Sequence, residues 1–482
     1  MNFQIIRNII GYIMLIEAAF MIPALFISLS QQESASVMAF GATIVLLIVV
    51  GLPMAVKRAA RKSYYAREGF VTVGLGWIIV SIFGALPFTF SGSIPSFVDA
   101  LFETISGFTT TGASILTDVE ALPMGMLYWR SFTHWLGGMG VLVFLLAIGP
   151  ISGGDSGDTL YLLRAESPGV NVSKLVPRMR RSALILYQIY IALTLAQIIL
   201  LLLGDVPLFD SITLSMGTAG TGGFSIKNTS IASYSTYTQL IITIFMFLFG
   251  INFNVFYFLL LRQFRRAVKN GEFLVYLGTF AIAVGIIFFN VRHLFENLSQ
   301  ALLHTSFTVA SVMSTTGYIT VDYDLWPQLP RMLLLLLMFM GACAGSTAGG
   351  AKVIRIVILL KSARRTINRA LHPNAVYLIH VDGELVDDDT VDAVNNYMLI
   401  YFVLIAGLTL LLSLDGLDLE TTFSSVISCV NNIGPAMNLT GPTLNYSCFS
   451  VFGKLLLSIG MLFGRLELYP MLMLFVPQAW RK

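Results

Sequence analysis

Charged residues are scarce in this chain. Of its 482 residues, 11% are Asp, Glu, Lys or Arg and 56% are apolar, and the mean hydropathy is +0.80. A soluble protein of this length would carry roughly a quarter charged residues. The composition therefore excludes an ordinary soluble protein and predicts a polytopic membrane protein.

Cysteine and histidine are rare too. The three cysteines lack metal-ligand spacing and lie in or beside apolar segments, so we interpret them as small buried packing residues: Cys343, Cys429 and Cys448. The five histidines are scattered: His134, His293, His304, His372 and His380.

The glycine-rich run 217–222 suggests a phosphate-binding loop, but no lysine follows at the required spacing. With no catalytic constellation visible, the chain is predicted not to be an enzyme.

Long apolar runs dominate the chain instead. A run of about 20 apolar residues can cross the ~30 Å hydrocarbon core as a helix. The first run, 3–29, contains Arg7 and is too long for a cleavable signal, so it predicts a retained helix. The ten predicted spans are 3–29, 37–56, 70–90, 127–149, 182–203, 237–261, 273–290, 331–361, 395–414 and 449–478.

Four short glycine-containing segments lie between pairs of the last eight spans. Their backbone polar groups cannot face lipid at membrane depth, so each segment is expected to line a water-filled path. One of them, 314–318, has the Thr-x-Gly-Tyr composition of a potassium filter, whose carbonyls replace the water shell of the ion. The candidate filter residues are Thr110, Thr111, Gly112, Gly220, Thr221, Gly222, Thr315, Thr316, Gly317, Asn432, Ile433 and Gly434.

A short amphipathic run precedes each segment and is predicted to be a pore helix. The four runs are 97–108, 210–216, 302–313 and 421–430. Their partially negative C-terminal ends would favour a cation at the centre. A single glycine is more simply a helix break or a packing site, but four at matched positions favour a filter: Gly112, Gly222, Gly317 and Gly434.

The four units all face the same way, because each contains two full crossings. Inverted repeats, which are typical of secondary transporters, would alternate. We therefore predict an all-α polytopic membrane protein with four pseudo-repeats of helix–pore-loop–helix around one pore, preceded by two extra N-terminal transmembrane helices. The predicted units are 1–66, 67–176, 177–270, 271–393 and 394–482.

The distribution of Lys and Arg predicts the orientation. Of the 29 basic residues, 20 fall in four junctions on one side: 57–67, 164–181, 262–269 and 352–369. That side is predicted to be cytoplasmic, with both termini inside. Acidic residues on the other side either concentrate cations at a pore mouth or are ordinary solvated loop charges: Asp99, Glu103, Asp118, Asp210, Asp322, Asp324, Asp415, Asp418 and Glu420.

Arg465 lies inside an apolar stretch, where a charge costs ~2.5–3.5 kcal/mol on insertion scales and marks an ion path or a partner. We predict that it lies below the filter and opposes cations in a closed state. The alternative is a structural ion pair with Glu467 or another acidic group. Direct pairing with Glu467 is disfavoured, since residues two apart point to different faces of a helix.

Ten consecutive small residues, 341–350, interrupt a predicted span that is too long for one straight crossing. We predict a loop that projects into the pore: Gly345, Ser346, Thr347, Ala348, Gly349 and Gly350 are its candidate gate residues. The alternative is a tight helix interface of the GxxxG kind.

Further on, apolar and polar residues alternate around Asp382-Gly383, which predicts a β-hairpin. The hairpin is expected to end in a solvated acidic cap and offers a place to dock a partner.

These motifs resemble those of the TrkH branch of the Trk/Ktr/HKT superfamily of potassium transporters. The matching motifs cover the whole chain: 67–70 (REGF), 84–88 (GALPF), 106–113 (SGFTTTGA), 129–140 (WRSFTHWLGGMG), 222–225 (GGFS), 345–350 (GSTAGG), 431–435 (NNIGP) and 464–467 (GRLE). The two helices before the first unit are similar to TrkH rather than to the shorter KtrB type. Asn438 after Met437, and Ala342 with Cys343 at the start of the loop, depart from the pattern.

The resemblance implies potassium uptake across the cytoplasmic membrane of a prokaryote. It implies a homodimer, each protomer with its own pore, gated by a cytoplasmic ring of TrkA-like RCK subunits. The chain itself is expected to hold no cofactor besides the transported K⁺, and ATP, ADP or NAD(H) would bind the partner ring. The resemblance also implies selectivity at the four filter glycines, a gating loop at 345–350 and a basic constriction at Arg465.

Two other functions compete with a channel-like potassium transporter. One is a symporter that couples K⁺ to Na⁺ or H⁺, although no ionisable residue lies in the filter segments. The other is a membrane-bound enzyme or receptor scaffold, which lacks any catalytic constellation. No nucleic-acid partner is expected.

Overall fold

The computed structural model describes residues 1–56, 66–140, 179–381 and 384–480, and these residues are mainly helical. The N-terminal pair is α1 (Phe3–Ser30) and α2 (Ser34–Val56). The first repeat contains α3 (Ala66–Phe90), α4 (Phe97–Phe108) and α5 (Met124–Gly138). The second contains α6 (Met179–Leu203), α7 (Leu208–Ala219), α8 (Thr236–Phe249), α9 (Phe253–Leu260) and α10 (Phe264–Val268).

The second half of the chain repeats this pattern. The third repeat contains α11 (Gly271–Val291), α12 (Leu298–Met313), α13 (Gln328–Met340), α14 (Val353–Leu371), β1 (Ile379–Val381) and β2 (Glu384–Val386). The fourth contains α15 (Asp388–Leu412), α16 (Leu419–Val430), α17 (Val451–Arg465), α18 (Tyr469–Phe475) and α19 (Pro477–Trp480).

Six of the described helices are long and apolar enough to cross a membrane, and a bent pair gives a seventh candidate. Their outer faces carry large exposed apolar side chains, such as Phe26 (64%), Leu203 (72%) and Leu410 (73%). Such a surface is costly in water and suits lipid, since a soluble monomer rarely exposes large apolar patches. The prediction of a polytopic all-α membrane protein is confirmed.

The N-terminal pair packs on the first repeat. Backbone atoms of α1 and α2 approach closely because Gly11 has no side chain: a Cβ there would lie 2.6 Å from the nitrogen of Ala55. Glu33, just after α1, accepts a hydrogen bond from the backbone N–H of Met124 at 2.6 Å, at the start of α5. The pair therefore supports the pore units from outside.

A short helix lies between two longer elements in each repeat, as the sequence predicts for pore helices. The first and fourth agree with prediction to within two residues, whereas α7 and α12 are several residues longer than predicted. Asp418 caps α16 by accepting from the N–H of Thr421 at 3.0 Å, and Ser96 caps α4 in the same way. The short helices end at Phe108, Ala219, Met313 and Val430.

Two predicted spans are wrong as single helices. The span 237–261 is broken after Phe249, and α8 and α9 meet at 92° because Asn252 caps a new helix there. The span 449–478 is broken where Glu467 and Leu468 adopt left-handed backbone conformations, with φ of 51° and 70°. By contrast, the predicted break in the third repeat is confirmed, and residues 341–352 form a loop between α13 and α14, here called the intramembrane loop.

The predicted hairpin is confirmed by the antiparallel pairing of β1 and β2, with Ile379 opposite Val386. Its turn residues, 382–383, lie outside the described residues. Asp387 caps α15 by accepting from the N–H of Thr390 at 3.2 Å. The inner face of the hairpin packs with Ile354 and Ile358 of α14 in a small core of its own.

The prediction of three buried cysteines is wrong for one of them, and three charged residues are buried although the sequence gives no sign of it. Lys352 and Arg355, which belong to the basic junction 352–369, are only 7% and 3% exposed. Cys448 is exposed, whereas Cys343 and Cys429 are buried as predicted. Glu17, which sequence reasoning overlooked, is 3% exposed in the middle of α1. Most basic residues of the junctions 57–67 and 164–181 lie outside the described residues.

Candidate ion pathway

Each glycine-containing segment leaves its pore helix by the same backbone path. The first residue after the helix cap donates its N–H to a carbonyl three residues earlier, and the next residue donates to one five residues earlier. The first residue is left-handed in every segment: φ is 55° at Thr110, 54° at Thr221, 56° at Thr315 and 56° at Asn432. Four identical exits mean that the repeats share one structure despite their different sequences.

The glycine two residues further on is also left-handed, a conformation that favours glycine. These four residues, here called the ring glycines, are Gly112 (φ 79°), Gly223 (76°), Gly317 (80°) and Gly434 (99°). Gly223, and not Gly222, therefore matches the other three glycines, while Gly222 stays a predicted filter residue. Gly222 occupies the place of Thr111, Thr316 and Ile433, since its N–H bonds the carbonyl of Gly217, five residues earlier, at 2.9 Å.

The four segments close into a ring in chain order. A Cβ added to Gly112 would overlap the carbonyl oxygen of Gly222, and one added to Gly223 would overlap that of Thr316. One added to Gly317 would overlap the carbonyl oxygen of Ile433, and one added to Gly434 would lie 2.6 Å from that of Thr111. Each ring glycine thus packs against the carbonyl that precedes the next ring glycine. Only glycine fits in this position.

Hydroxyl groups at the ring are mostly occupied locally. Thr109 Oγ1 lies 2.8 Å from Thr111 Oγ1, and Ser314 Oγ lies 2.7 Å from Thr316 Oγ1 in the matching place. Asn432 Nδ2 donates to Thr111 Oγ1 at 3.0 Å and so ties the fourth segment to the first. These side-chain contacts therefore help to hold the ring together.

Buried aromatic side chains pack behind the segments. Tyr446 donates its hydroxyl to the carbonyl of Gly434 at 2.7 Å, and Tyr318 donates to that of Phe224 at 3.3 Å. His134 Nδ1 lies 2.8 Å from the carbonyl oxygen of Gly107, and its ring fills the space beside Gly222, where a Cβ would overlap it. Ring geometry is therefore set by packing behind it.

A buried ion pair joins the first two segments. Arg130 Nε lies 2.6 Å from Glu103 Oε1, and both side chains are at most 4% exposed. Glu103 Oε2 also accepts from the N–H of Ile115 at 3.0 Å, while Arg130 donates to the carbonyl of Ser225 at 2.8 Å. The interpretation of Glu103 as a pore-mouth or solvated charge is wrong, because its carboxylate is buried and paired with Arg130. This ion pair with its backbone hydrogen bonds is here called the clamp.

The other acidic residues near the segments also have local partners. Asp99 pairs with Lys454 at 2.6 Å, and Asp210 accepts from the hydroxyl of Tyr234 at 2.8 Å. Glu420 pairs with Arg331. Most of these acidic side chains are therefore bound to neighbouring side chains that hold the segments in place.

The intramembrane loop reaches the ring. The N–H of Gly349 donates to Thr315 Oγ1 at 2.8 Å, and a Cβ on Gly349 would overlap the carbonyl oxygen of Asn431. Thr347 Oγ1 donates to the carbonyl of Phe249 at 3.3 Å. The remaining predicted gate residues complete its backbone: Gly345, Ser346, Ala348 and Gly350. The loop is therefore in direct contact with the third and fourth segments, as a gate would require.

Arg465 lies beside this loop, at the end of α17. Its guanidinium donates to the carbonyl of Thr347 at 2.8 Å, to that of Gly138 at 2.7 Å and to that of Gly137. The neighbouring acid, Glu467, forms its ion pair with Arg355 of α14. Arg465 thus links the loop of the third repeat to the end of α5 in the first, through backbone carbonyls.

Two polar residues around the loop were missed by sequence reasoning. Glu272 accepts from the N–H of Ala344, and Asn252 lies beside Gly345 and donates to Glu272. Each stands at one end of an apolar helix, where it looks like an ordinary cap or flanking charge. Arg355, which belongs to the basic junction 352–369, joins α14 to the break after α17. Among the described residues, no cluster of three or more His, Cys, Asp or Glu could hold a metal ion.

Comparison with known proteins gives one consistent result. The family model for TrkH, described as a cation transport protein, matches residues 36–482. The chain is 34% identical over 491 residues to the Trk system potassium uptake protein TrkH of Salmonella typhimurium, and 34% identical over 497 residues to that of Halomonas elongata, with 100% of each chain covered. It is also similar to the crystal structure of the potassium transporter TrkH from Vibrio parahaemolyticus, with 30% identity, a TM-score of 0.88 and 100% coverage of both chains.

Proposed function

This chain belongs to the TrkH family of cation transport proteins, and we propose that it takes up potassium across the cytoplasmic membrane of a prokaryote. It is a multi-pass membrane protein and not an enzyme, in keeping with its family. Its curated relatives are named as potassium uptake proteins of the Trk system. The closed ring of four glycine-containing segments is the observation that carries the proposal.

In the proposed filter, backbone carbonyls of the four segments replace the water shell of K⁺. The four carbonyls that occupy matched positions are those of Thr111, Gly222, Thr316 and Ile433. Each of them packs against a ring glycine of a neighbouring segment. Pore helices that end directly before the segments add the negative end of their dipoles. No ionisable side chain lies in the four segments, which favours conduction over strict proton coupling.

The intramembrane loop and Arg465 form the proposed gate. The loop touches the ring through Gly349, and a guanidinium within hydrogen-bond distance of Thr347 places positive charge beside the path. A fixed positive charge repels a cation until it moves or is screened. This proposal requires flux to rise when the guanidinium is removed.

The proposed assembly is a homodimer that binds a TrkA-like ring of nucleotide-binding RCK subunits on the cytoplasmic side. Exposed basic residues of α14 and the neighbouring hairpin offer a surface for this partner, including Arg364 and Arg369. The nucleotide, whether ATP, ADP or NAD(H), would bind the partner and not this chain. Both chain termini would then lie inside the cell.

Ion flux into liposomes tests the function. Purified protein should conduct K⁺ along its own gradient, with Na⁺ flux much lower. Imposed Na⁺ or H⁺ gradients at zero K⁺ gradient should drive no K⁺ accumulation. Accumulation under such a gradient would establish the symporter instead, and the absence of any cation flux would reject a transport role.

A further inference from the structure

The start of α11 carries a buried carboxylate that neither the ring nor the proposed gate accounts for. Glu272 is the second residue of α11 and is 4% exposed. Its Oε1 accepts from the backbone N–H of Ala344 at 2.7 Å and from that of Ile354 at 3.2 Å. Ala344 lies within the intramembrane loop and Ile354 lies just beyond it in α14, so one oxygen atom binds the backbone on both sides of residues 345–350.

The second carboxylate oxygen faces the break between α8 and α9. Glu272 Oε2 accepts from Asn252 Nδ2 at 3.4 Å. The same break holds the loop through its backbone, since Cys343 donates to the carbonyl of Gly250 at 3.1 Å and Phe253 donates to that of Gly345 at 3.0 Å. Glu272 therefore lies where the second and third repeats meet the loop.

We propose that Glu272 is a latch, a positioning residue whose carboxylate holds the intramembrane loop against the ring. Hydrogen bonds from N–H groups to a carboxylate are roughly twice as strong as neutral ones. Losing the acceptor would leave the buried N–H of Ile354 and the partly buried N–H of Ala344 unpaired, and this penalty favours a displaced loop. The latch rests on the proposed function, in that the loop is taken to be the gate.

The position of the latch also suggests what would open it. Glu272 lies three residues after the basic connection 262–269, which ends the second repeat on the side predicted to be cytoplasmic. Asn270 Oδ1 accepts from the N–H of Phe273 at 2.8 Å and fixes the start of α11 to this connection. A displacement of the connection would therefore move Glu272 away from the loop.

The native cysteines provide a test that does not depend on flux. Cys343 lies in the loop and is 0% exposed, Cys429 is 0% exposed in the pore helix α16, and Cys448 is exposed. Maleimide adducts on each can be timed by peptide mass spectrometry in the purified full chain. Glu272→Ala should raise the Cys343 rate by about tenfold or more, since one charge-assisted hydrogen bond changes an equilibrium by roughly that factor. The Cys429 rate should stay unchanged and reports whether the fold is intact.

Two further variants sharpen the result. Glu272→Gln retains an Oε1 acceptor for both N–H groups, so its Cys343 rate should fall between those of the wild type and the Ala variant. Leu274→Ala, an exposed position two residues along α11, should match the wild type. An unchanged Cys343 rate in a folded Glu272→Ala protein overturns the latch. If that rate rises while K⁺ flux is absent in every variant, the latch stands and the transport proposal fails.

Discussion

The ring glycines satisfy two separate constraints at the scale of single residues. The first is conformational, because a left-handed φ costs a residue with a side chain about 1–2 kcal/mol. The second is steric, because a Cβ would overlap a carbonyl oxygen of the neighbouring segment. The first constraint alone is not specific: Gly416 has a φ of 73° and nothing within 4 Å of its Cβ position. A substitution at a ring glycine causes backbone strain and also displaces a carbonyl, whereas a substitution at Gly416 causes backbone strain alone.

Gly112→Ser is predicted to lower the K⁺/Na⁺ permeability ratio. Its Cβ must push away the carbonyl of Gly222, and a widened or tilted carbonyl ring no longer matches the K⁺ shell. The same should hold for Gly223→Ser, whose Cβ meets the carbonyl of Thr316. Ratios come from liposome flux with single cations. Gly416→Ser is the matched control, with similar backbone strain and an unchanged ratio. A normal ratio in the Gly112 variant would remove this glycine from the filter.

Arg465→Ala is predicted to raise K⁺ flux in the absence of any regulator, because it removes the positive charge and three hydrogen bonds to backbone carbonyls. Arg465→Lys keeps the charge and should stay closer to the wild type. Flux is normalised to folded protein in liposomes. If the guanidinium only joins α17 to the loop and α5, the Ala variant will instead express poorly and show normal or lower flux per folded molecule.

At the scale of elements, the presence of the pore helices and of the loop could be predicted from the sequence more reliably than the register of the segments. The pore helices and the loop were predictable, because amphipathic runs and ten small residues are strong local signals. The register of the second segment was not, since Gly220, Gly222 and Gly223 all fit a turn. Its register is decided by a backbone hydrogen bond to Gly217, which is invisible in the sequence.

The helix breaks show the same limit. Residues 237–261 and 449–478 were predicted as single spans because their apolar composition outweighed the helix-breaking residues within them, Gly250 and Asn252 in the first and Gly464 and Pro470 in the second. The first depends on the cap at Asn252 and on backbone bonds to the loop. The second depends on the ion pair of Glu467 with Arg355, more than 100 residues away in the chain. Long-range contacts of this kind determine the site but leave no local pattern.

The clamp between the first two segments should be sensitive to the loss of one partner. Glu103→Gln leaves Arg130 charged, buried and without its carboxylate, and breaking a buried pair in this way typically costs about 3–5 kcal/mol. We expect a clearly lower unfolding temperature in detergent. Glu103→Gln combined with Arg130→Met removes the stranded charge and should recover part of the loss. Equal stability of the single and double variants would mean that the pair contributes nothing beyond packing.

At the scale of the whole molecule, one chain supplies all four segments of the ring. The four segments therefore need not have identical sequences. Thr111, Gly222, Thr316 and Ile433 occupy one structural place with four local environments. Among the described residues, the intramembrane loop comes from the third repeat and contacts the third and fourth segments, while Arg465 comes from the fourth repeat. An assembly of four identical chains would have to repeat the loop four times. Unequal repeats therefore make the proposed single, asymmetric gate possible.

The last prediction concerns the face where a regulator would bind. Arg364 and Arg369 are exposed on α14, whose other face packs on the hairpin, with Lys361 donating to the carbonyl of His380 at 2.6 Å. Arg364→Glu with Arg369→Glu should abolish co-purification with a nucleotide-binding ring and remove the response of flux to ATP, ADP or NADH. Flux without the regulator should not change, because neither residue touches the ring or the intramembrane loop. Arg292→Glu, on the opposite side of the predicted membrane, is the control and should leave both properties intact. Retained binding in the double variant would move the docking surface away from α14.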